Sequence, residues 1–353
     1  MNKTTGNRLT VFPVTEAGYL LAKRLERGYE WVRAYSPGEL KGGGLKRLAA
    51  KAFKEKSAIL FISASGIAVR TIAPLIKGKD KDPAVMVMDE KGRFVVSLLS
   101  GHLGGANALT KKMAAFFKST PVITTATDIN NLPCVEEIAK RLSCAVEDHK
   151  KIKAINSAIL KGAAVTVIDR NKDRLAAARK RYARIKNFRF SLKFPAKPSD
   201  GAFIFISSVL EEVPENLKDN TITLRPGELV VGIGCRSGVS VKEVGEAVNE
   251  ALRSAMLSPL SIKKIATIDI KKDEKGLVGF AKKIGAGLGF FSADELCKIK
   301  FPSKKSKFVL KTTGAGGVSE PAALISAGVR KVCLKKKKLG RVTVAAAREP
   351  FTS

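Results

Sequence analysis

Short apolar blocks alternate with amphipathic stretches along most of this chain. Leu9 to Val14 predicts a first buried strand. The run Thr15 to Arg27 follows, with Ala17, Leu20, Leu21 and Leu25 at helical spacing, and Gly28 ends it. Tyr29 to Ala34 predicts a second strand, and Gly42-Gly43-Gly44 opens or interrupts a basic helix reaching about Lys56. Ala58 to Ile62 is apolar without alternation, the pattern of a strand covered on both faces. A small-residue turn, Ser63-Ala64-Ser65-Gly66, leads into a helix from Ile67 to Ile76. Pro83–Met88 and Arg93–Leu98 flank the turn signature Asp89-Glu90-Lys91-Gly92 and predict a hairpin. A helix over Ala106–Phe117 and a buried strand over Pro121–Thr124 complete a layered α/β pattern for residues 1–145.

The pattern weakens over 146–224. A helix (Lys150–Lys161) and strands at Ala164–Ile168 and Ala202–Ile206 emerge there. Arg174, Arg179, Lys180, Arg181 and Arg184 read as a solvated helix face. From 225 to 353 the alternation returns: a strand at Leu229–Gly234, a helix at Val241–Leu257, a strand at Ile262–Ile270, a helix at Gly276–Gly285 and a strand at Gly287–Phe291. Ser240 and Glu243 stand at capping-box spacing before the first of these helices. A Gly-rich turn, Lys311–Glu320, precedes the apolar helix Pro321–Ala327. Strands at Arg330–Leu334 and Val342–Ala346 then close around a predicted Lys335–Lys338 turn. The expected fold class is α/β: two layered α/β domains, N-terminal and C-terminal, joined by a less typical middle α/β segment.

Composition sharpens this. With 45% hydrophobic and 27% charged residues over 353 positions, the chain is a globular protein too long for one ordinary core. No apolar run is long enough to span a membrane and no signal-peptide core opens the chain, so a cytoplasmic protein is expected. The five cysteines are widely spaced without a Cys-x-x-Cys pair, which argues against a zinc site or a disulfide framework. Lys and Arg outnumber Asp and Glu by 64 to 32, a net charge of +32 that attracts polyanions. That charge is spread evenly, aromatics are sparse and no nucleic-acid-binding motif occurs, all of which argues against nucleic acid as the ligand.

Candidate chemistry gathers at small-residue turns. In Ser100-Gly101-His102-Leu103-Gly104-Gly105-Ala106-Asn107 an imidazole sits beside a helix start, where exposed N–H groups suit oxyanions and carboxylates. His102 reads either as a packed, capping histidine or as a proton-transfer group. Ser65-Gly66 and Thr312-Thr313-Gly314-Ala315-Gly316-Gly317 are comparable turns, and Thr124, Thr125 and Asp128 follow a strand end. Cys235 and Arg236 end another strand, and there a helix N-terminus and Arg236 are expected to lower the thiol pKa. Glu320, in the first turn of its helix, is either a dipole-stabilising residue or a general base. Gly232-x-Gly234-x-x-x-Gly238 misses the dinucleotide fingerprint, and no P-loop occurs.

Several of these stretches, in this order, resemble the cobalamin-biosynthesis CbiG family, the cobalt-precorrin-5A hydrolases. In the N-terminal half they are Ser65-Gly66-Ile67-Ala68-Val69-Arg70, Ser97 to Asn107 and Pro121 to Asp128. In the C-terminal half they are Val231-Gly232-Ile233-Gly234-Cys235-Arg236, Ala266-Thr267-Ile268-Asp269 and Thr313 to Leu324. The resemblance implies hydrolysis of a ring A δ-lactone on a cobalt-bound macrocycle, with a two-carbon fragment leaving as acetaldehyde. Cobalt would arrive in the substrate, so no metal site or cofactor of the protein's own is implied. On this reading His102 is the general base, or less favourably an axial cobalt ligand, and the Gly104 and Gly105 amides are oxyanion donors. Arg236 and the Thr312–Gly317 turn would hold carboxylates across a domain cleft, with Thr124, Thr125 and Asp128 as its floor. Transient contact with pathway methyltransferases is implied as well. The competing class is a non-catalytic corrinoid carrier, which needs the charge but no general base.

Overall fold

The computed structural model describes residues 8–78, 81–102, 104–125, 130, 132–195 and 201–352. The chain forms two compact units, 1–137 and 138–353. Among the described residues no helix is long and apolar enough to cross a membrane.

The first unit is built on a six-stranded sheet: β1 (Leu9–Pro13), β2 (Val32–Ala34), β3 (Ala58–Ile62), β4 (Val85–Met88), β5 (Phe94–Leu99) and β6 (Thr120–Val122), in the order β2-β1-β3-β4-β5-β6. β1 and β3 are wholly buried because the sheet is covered on both faces. Leu60 and Ile62 join one apolar cluster, while Ile59 and Phe61 join the other. Helices Glu16–Gly28 and Ala106–Phe117 match the predicted spans within a residue or two; Thr15 caps the first by accepting from the Gly18 amide. The expectation of a buried strand at Pro121–Thr124 is corrected. β6 is the sheet's edge, and Thr120 and Pro121 are exposed. An edge strand lacks a neighbour on one side, and a central position is the one Pro avoids.

The second unit holds two five-stranded sheets. The first comprises β7 (Cys144–Val146), β8 (Val165–Asp169), β9 (Phe188–Ser191), β10 (Ala202–Ile206) and β11 (Thr221–Pro226), ordered β7-β11-β10-β8-β9. The sequence reading did not predict β7, β9 or β11: β7 has three residues, and β9 and β11 interleave polar residues with apolar ones. It also placed Arg174 on a solvated face, and this is a correction: Arg174 is 3% exposed. Its guanidinium bonds Asp169 at 2.6 and 3.1 Å and Glu228 at 2.7 Å. Glu228 also accepts from Ser208 at 2.6 Å and pairs with Arg348 at 2.9 Å. A charge set of this kind ties the two sheets together.

The last sheet comprises β12 (Leu229–Cys235), β13 (Ile262–Ile268), β14 (Gly287–Phe291), β15 (Val332–Leu339) and β16 (Val342–Arg348), ordered β14-β13-β12-β16-β15. The Ser240–Glu243 capping box forms as the spacing predicted, at the start of helix Val241–Ser254. Two expectations fail here. Lys335–Lys338 is not a turn but part of β15, with the reversal at Gly340-Arg341. Thr312 and Thr313 lie not in a Gly-rich turn but in the last turn of helix Lys307–Thr313, which Gly314 ends at φ 75°.

Candidate functional site

In the first unit the His102 turn lies at the end of β5. Ser100 carries φ 57°, and its enclosed hydroxyl has no hydrogen-bond partner among the described residues. The turn closes on itself: Gly105 N–H donates to the His102 carbonyl at 3.1 Å, Ala106 N–H to Ser100 O at 3.1 Å and Asn107 N–H to Gly101 O at 3.0 Å. The Gly105 amide, expected as an oxyanion donor, is therefore spent within the turn. Asn107, nearly buried, accepts from Ser97 Oγ at 2.6 Å and donates to Thr125 Oγ1 at 3.2 Å. It thus ties the turn to the strand end beyond β6. A Cβ on Gly101 would lie 2.6 Å from the Asn107 side chain, and one on Gly104 would lie 3.0 Å from the Ala84 amide, so both glycines are required by close packing. Thr124 is exposed beside this junction. Asp128 lies outside the described residues.

Ser65 and Gly66 do not join this group. β1, β3 and β4 run parallel, but β5 returns antiparallel to β4, with Val85 opposite Leu99 and Met88 opposite Val95. Ser65 and Gly66, expected in a turn, open the helix Ser65–Ile72 beyond the carboxyl end of β3, whereas the His102 and Thr125 ends lie at the opposite edge of the sheet. The hairpin that the sequence predicted is itself what separates them.

In the second unit a cavity of about 610 Å³ opens at the carboxyl edge of β12 and β13. This is the edge at which open parallel sheets bind ligands. Arg236, Lys271, Lys336, Lys338 and Arg341 supply five cationic side chains to its lining, and no Asp or Glu lines it. Arg341 pairs with Glu243 at 2.8 Å and Lys271 with Glu274 at 3.2 Å. The other three have no ion pair among the described residues. Phe308 and Ile270, 67% and 60% exposed, give the cavity an apolar wall. Two glycines allow the chain to come this close. A Cβ on Gly232 would meet the Ser319 carbonyl oxygen at 1.8 Å, and one on Gly317 the Phe301 ring at 2.9 Å.

Of the residues singled out in sequence, Cys235, Arg236, Thr312, Thr313 and Gly317 line this cavity; Gly314 and Gly316 do not. The expected lowering of the Cys235 thiol is corrected. Burial pushes its pKa up, against the opposing pull of Lys271. Glu320 lies outside the lining, 1% exposed, and accepts three hydrogen bonds: from Ser303 N at 3.1 Å, Ser303 Oγ at 2.9 Å and Lys336 N at 2.9 Å. The sequence reading missed Lys271, Lys336, Lys338 and Arg341. The four consecutive lysines were a visible signal, but a turn was the wrong place for them.

These features define a mixed α/β protein with an anion-attracting cavity at the carboxyl edge of its last sheet. Residues 47–128 match the family described as cobalamin synthesis G N-terminal, and residues 229–347 its C-terminus. The chain is 32% identical to the cobalt-precorrin-5A hydrolase of Priestia megaterium over 97% of its own length and 95% of the relative's. It is 34% identical to the cobalt-precorrin-5A hydrolase of Salmonella typhimurium over 93% and 94% of the two chains. The protein CobE of a Sinorhizobium species is 29% identical over 35% of this chain and 81% of its own. The chain belongs to the cobalamin synthesis G family.

Proposed function

We propose that this chain is a cobalt-precorrin-5A hydrolase: water opens the ring A δ-lactone of the cobalt-bound macrocycle, and the two-carbon fragment leaves as acetaldehyde. The observation that carries this reading is the likeness, along nearly the whole chain, to two proteins of that name. The cavity of the second unit suits such a ligand. Its five cationic side chains match the peripheral carboxylates of a tetrapyrrole, and Phe308 and Ile270 offer an apolar surface to a flat ring. In this reading cobalt enters as part of the substrate, with no resident cofactor, and contacts with the methyltransferases acting before and after are transient. His102 is the proposed general base, since a ring nitrogen of an imidazole can take the proton that a lactone-opening water must lose.

The test is acetaldehyde release from cobalt-precorrin-5A under anaerobic conditions, wild type beside His102→Ala. Release by the wild type with a fall of roughly a hundredfold or more in the variant is expected. Equal release would remove His102 from the reaction, and no release by the wild type would overturn the proposed activity.

A further inference from the structure

β15 does not run straight. Along a regular strand Leu334, Lys336 and Lys338 would share one face. Here the pairing with β16 slips: Leu334 lies opposite Ala346, but Lys337 lies opposite Val344 and Lys338 opposite Thr343. The slip puts Lys337 on the side of Leu334, Val344 and Ala346, which pack in the apolar cluster. Lys336 and Lys338 are turned to the other side, where they line the cavity with Thr343. A bulge re-aims side chains in this way and leaves a backbone group unpaired. The group left over is the Lys336 N–H, and it donates to Glu320 Oε1 at 2.9 Å.

Glu320 is well placed to hold that proton. It is 1% exposed, sits in the first turn of helix Ser319–Ala327, where the dipole favours a carboxylate, and has no ion pair among the described residues. Its other two bonds go to the Ser303 amide and hydroxyl, on the segment leading to Ser306 at the cavity wall. A buried carboxylate in a chain of net charge +32 that is given to backbone donors is fixing a conformation.

We propose that Glu320 is a positioning residue: by locking the β15 bulge it turns Lys336 and Lys338 into the cavity and so sets the grip on the substrate's carboxylates. The proposal rests on reading the cavity as the substrate site. The test uses the full chain and cobyrinic acid, a corrin with free carboxylate arms, titrated against wild type, Lys336→Ala, Glu320→Leu and the double variant; leucine, unlike glutamine, leaves no side-chain oxygen to accept the Lys336 N–H. Lys336→Ala and Glu320→Leu are each expected to weaken binding roughly tenfold, and the double variant less than about a hundredfold, because the part of the Glu320 effect that runs through Lys336 is already lost. In the acetaldehyde assay Glu320→Leu should raise KM and leave kcat unchanged. If Lys336→Ala weakens binding and Glu320→Leu does not, the positioning role is overturned and the cavity reading stands. Additive losses, or a collapse of kcat with binding intact, also overturn it. If Lys336→Ala binds as wild type does, the cavity reading fails and takes the proposal with it. Should Glu320→Leu not fold, Ser303→Ala removes one of the three bonds and is expected to weaken binding about threefold; unchanged binding then counts against the proposal.

Discussion

Replacing Arg174 with Met tests the buried charge set that joins the two sheets of the second unit. The change keeps most of the side-chain volume and removes the guanidinium. Glu228 retains Ser208 and Arg348, whereas Asp169 loses its ion-pair partner and keeps only the Asn171 amide at 2.8 Å. One uncompensated buried carboxylate of this kind costs about 3–5 kcal/mol, or roughly 1–2 M in the urea midpoint of a domain this large. The loss should depend on pH. Burial already holds the Asp169 carboxyl above its ordinary pKa, with Arg174 pulling the other way, and without Arg174 it rises further. A carboxyl raised in the folded state destabilises the fold when ionised. The penalty is therefore full above its folded pKa and shrinks as the pH falls from there toward the ordinary carboxylate range, so the loss should be larger at neutral pH than in acid. Trp31, the chain's single tryptophan, belongs to the first unit. Urea unfolding followed by circular dichroism should show the early transition of the second unit, while Trp31 fluorescence moves little. Adding Asp169→Asn should recover part of the loss. A loss below about 1 kcal/mol, or one independent of pH, would refute the argument.

Two further outcomes are expected. Gly232→Ala should lower the thermal midpoint by an amount equal to about 3 kcal/mol and weaken cobyrinic acid binding, because the new methyl meets the Ser319 carbonyl oxygen at 1.8 Å; wild-type behaviour in both measurements would show that the helix start gives way freely. With iodoacetamide at neutral pH, mass spectrometry should find Cys297, which is exposed, modified well before Cys235, whose thiol burial holds protonated. The reverse order would mean that the cations around Cys235 outweigh its burial.

Much of this protein was legible in its sequence because the signals are local. The apolar run Ala58–Ile62 became a strand covered on both faces, the helix Ala106–Phe117 formed where its spacing said, and Ser240 and Glu243 closed their capping box. Each depends on residues within a turn or two of one another, so the chain carries the information without its partners. The α/β class follows from the same alternation, and the length and order of the glycine-rich motifs pointed to the family.

What depended on pairing at a distance could only be settled by the tertiary structure. The Ser65 and His102 turns look alike in sequence, but the antiparallel return of β5 sends them to opposite edges of one sheet. Arg174 resembles its basic neighbours until Asp169 and Glu228, one of them 54 positions away, close on it in the interior. The four lysines of β15 give no hint of a bulge, because the slip is defined only against β16 and held by Glu320 from the helix Ser319–Ala327. Hydrophobic period and capping fix what each segment becomes. Strand register and the partners of buried charges are properties of pairs, and they decide which side chains meet.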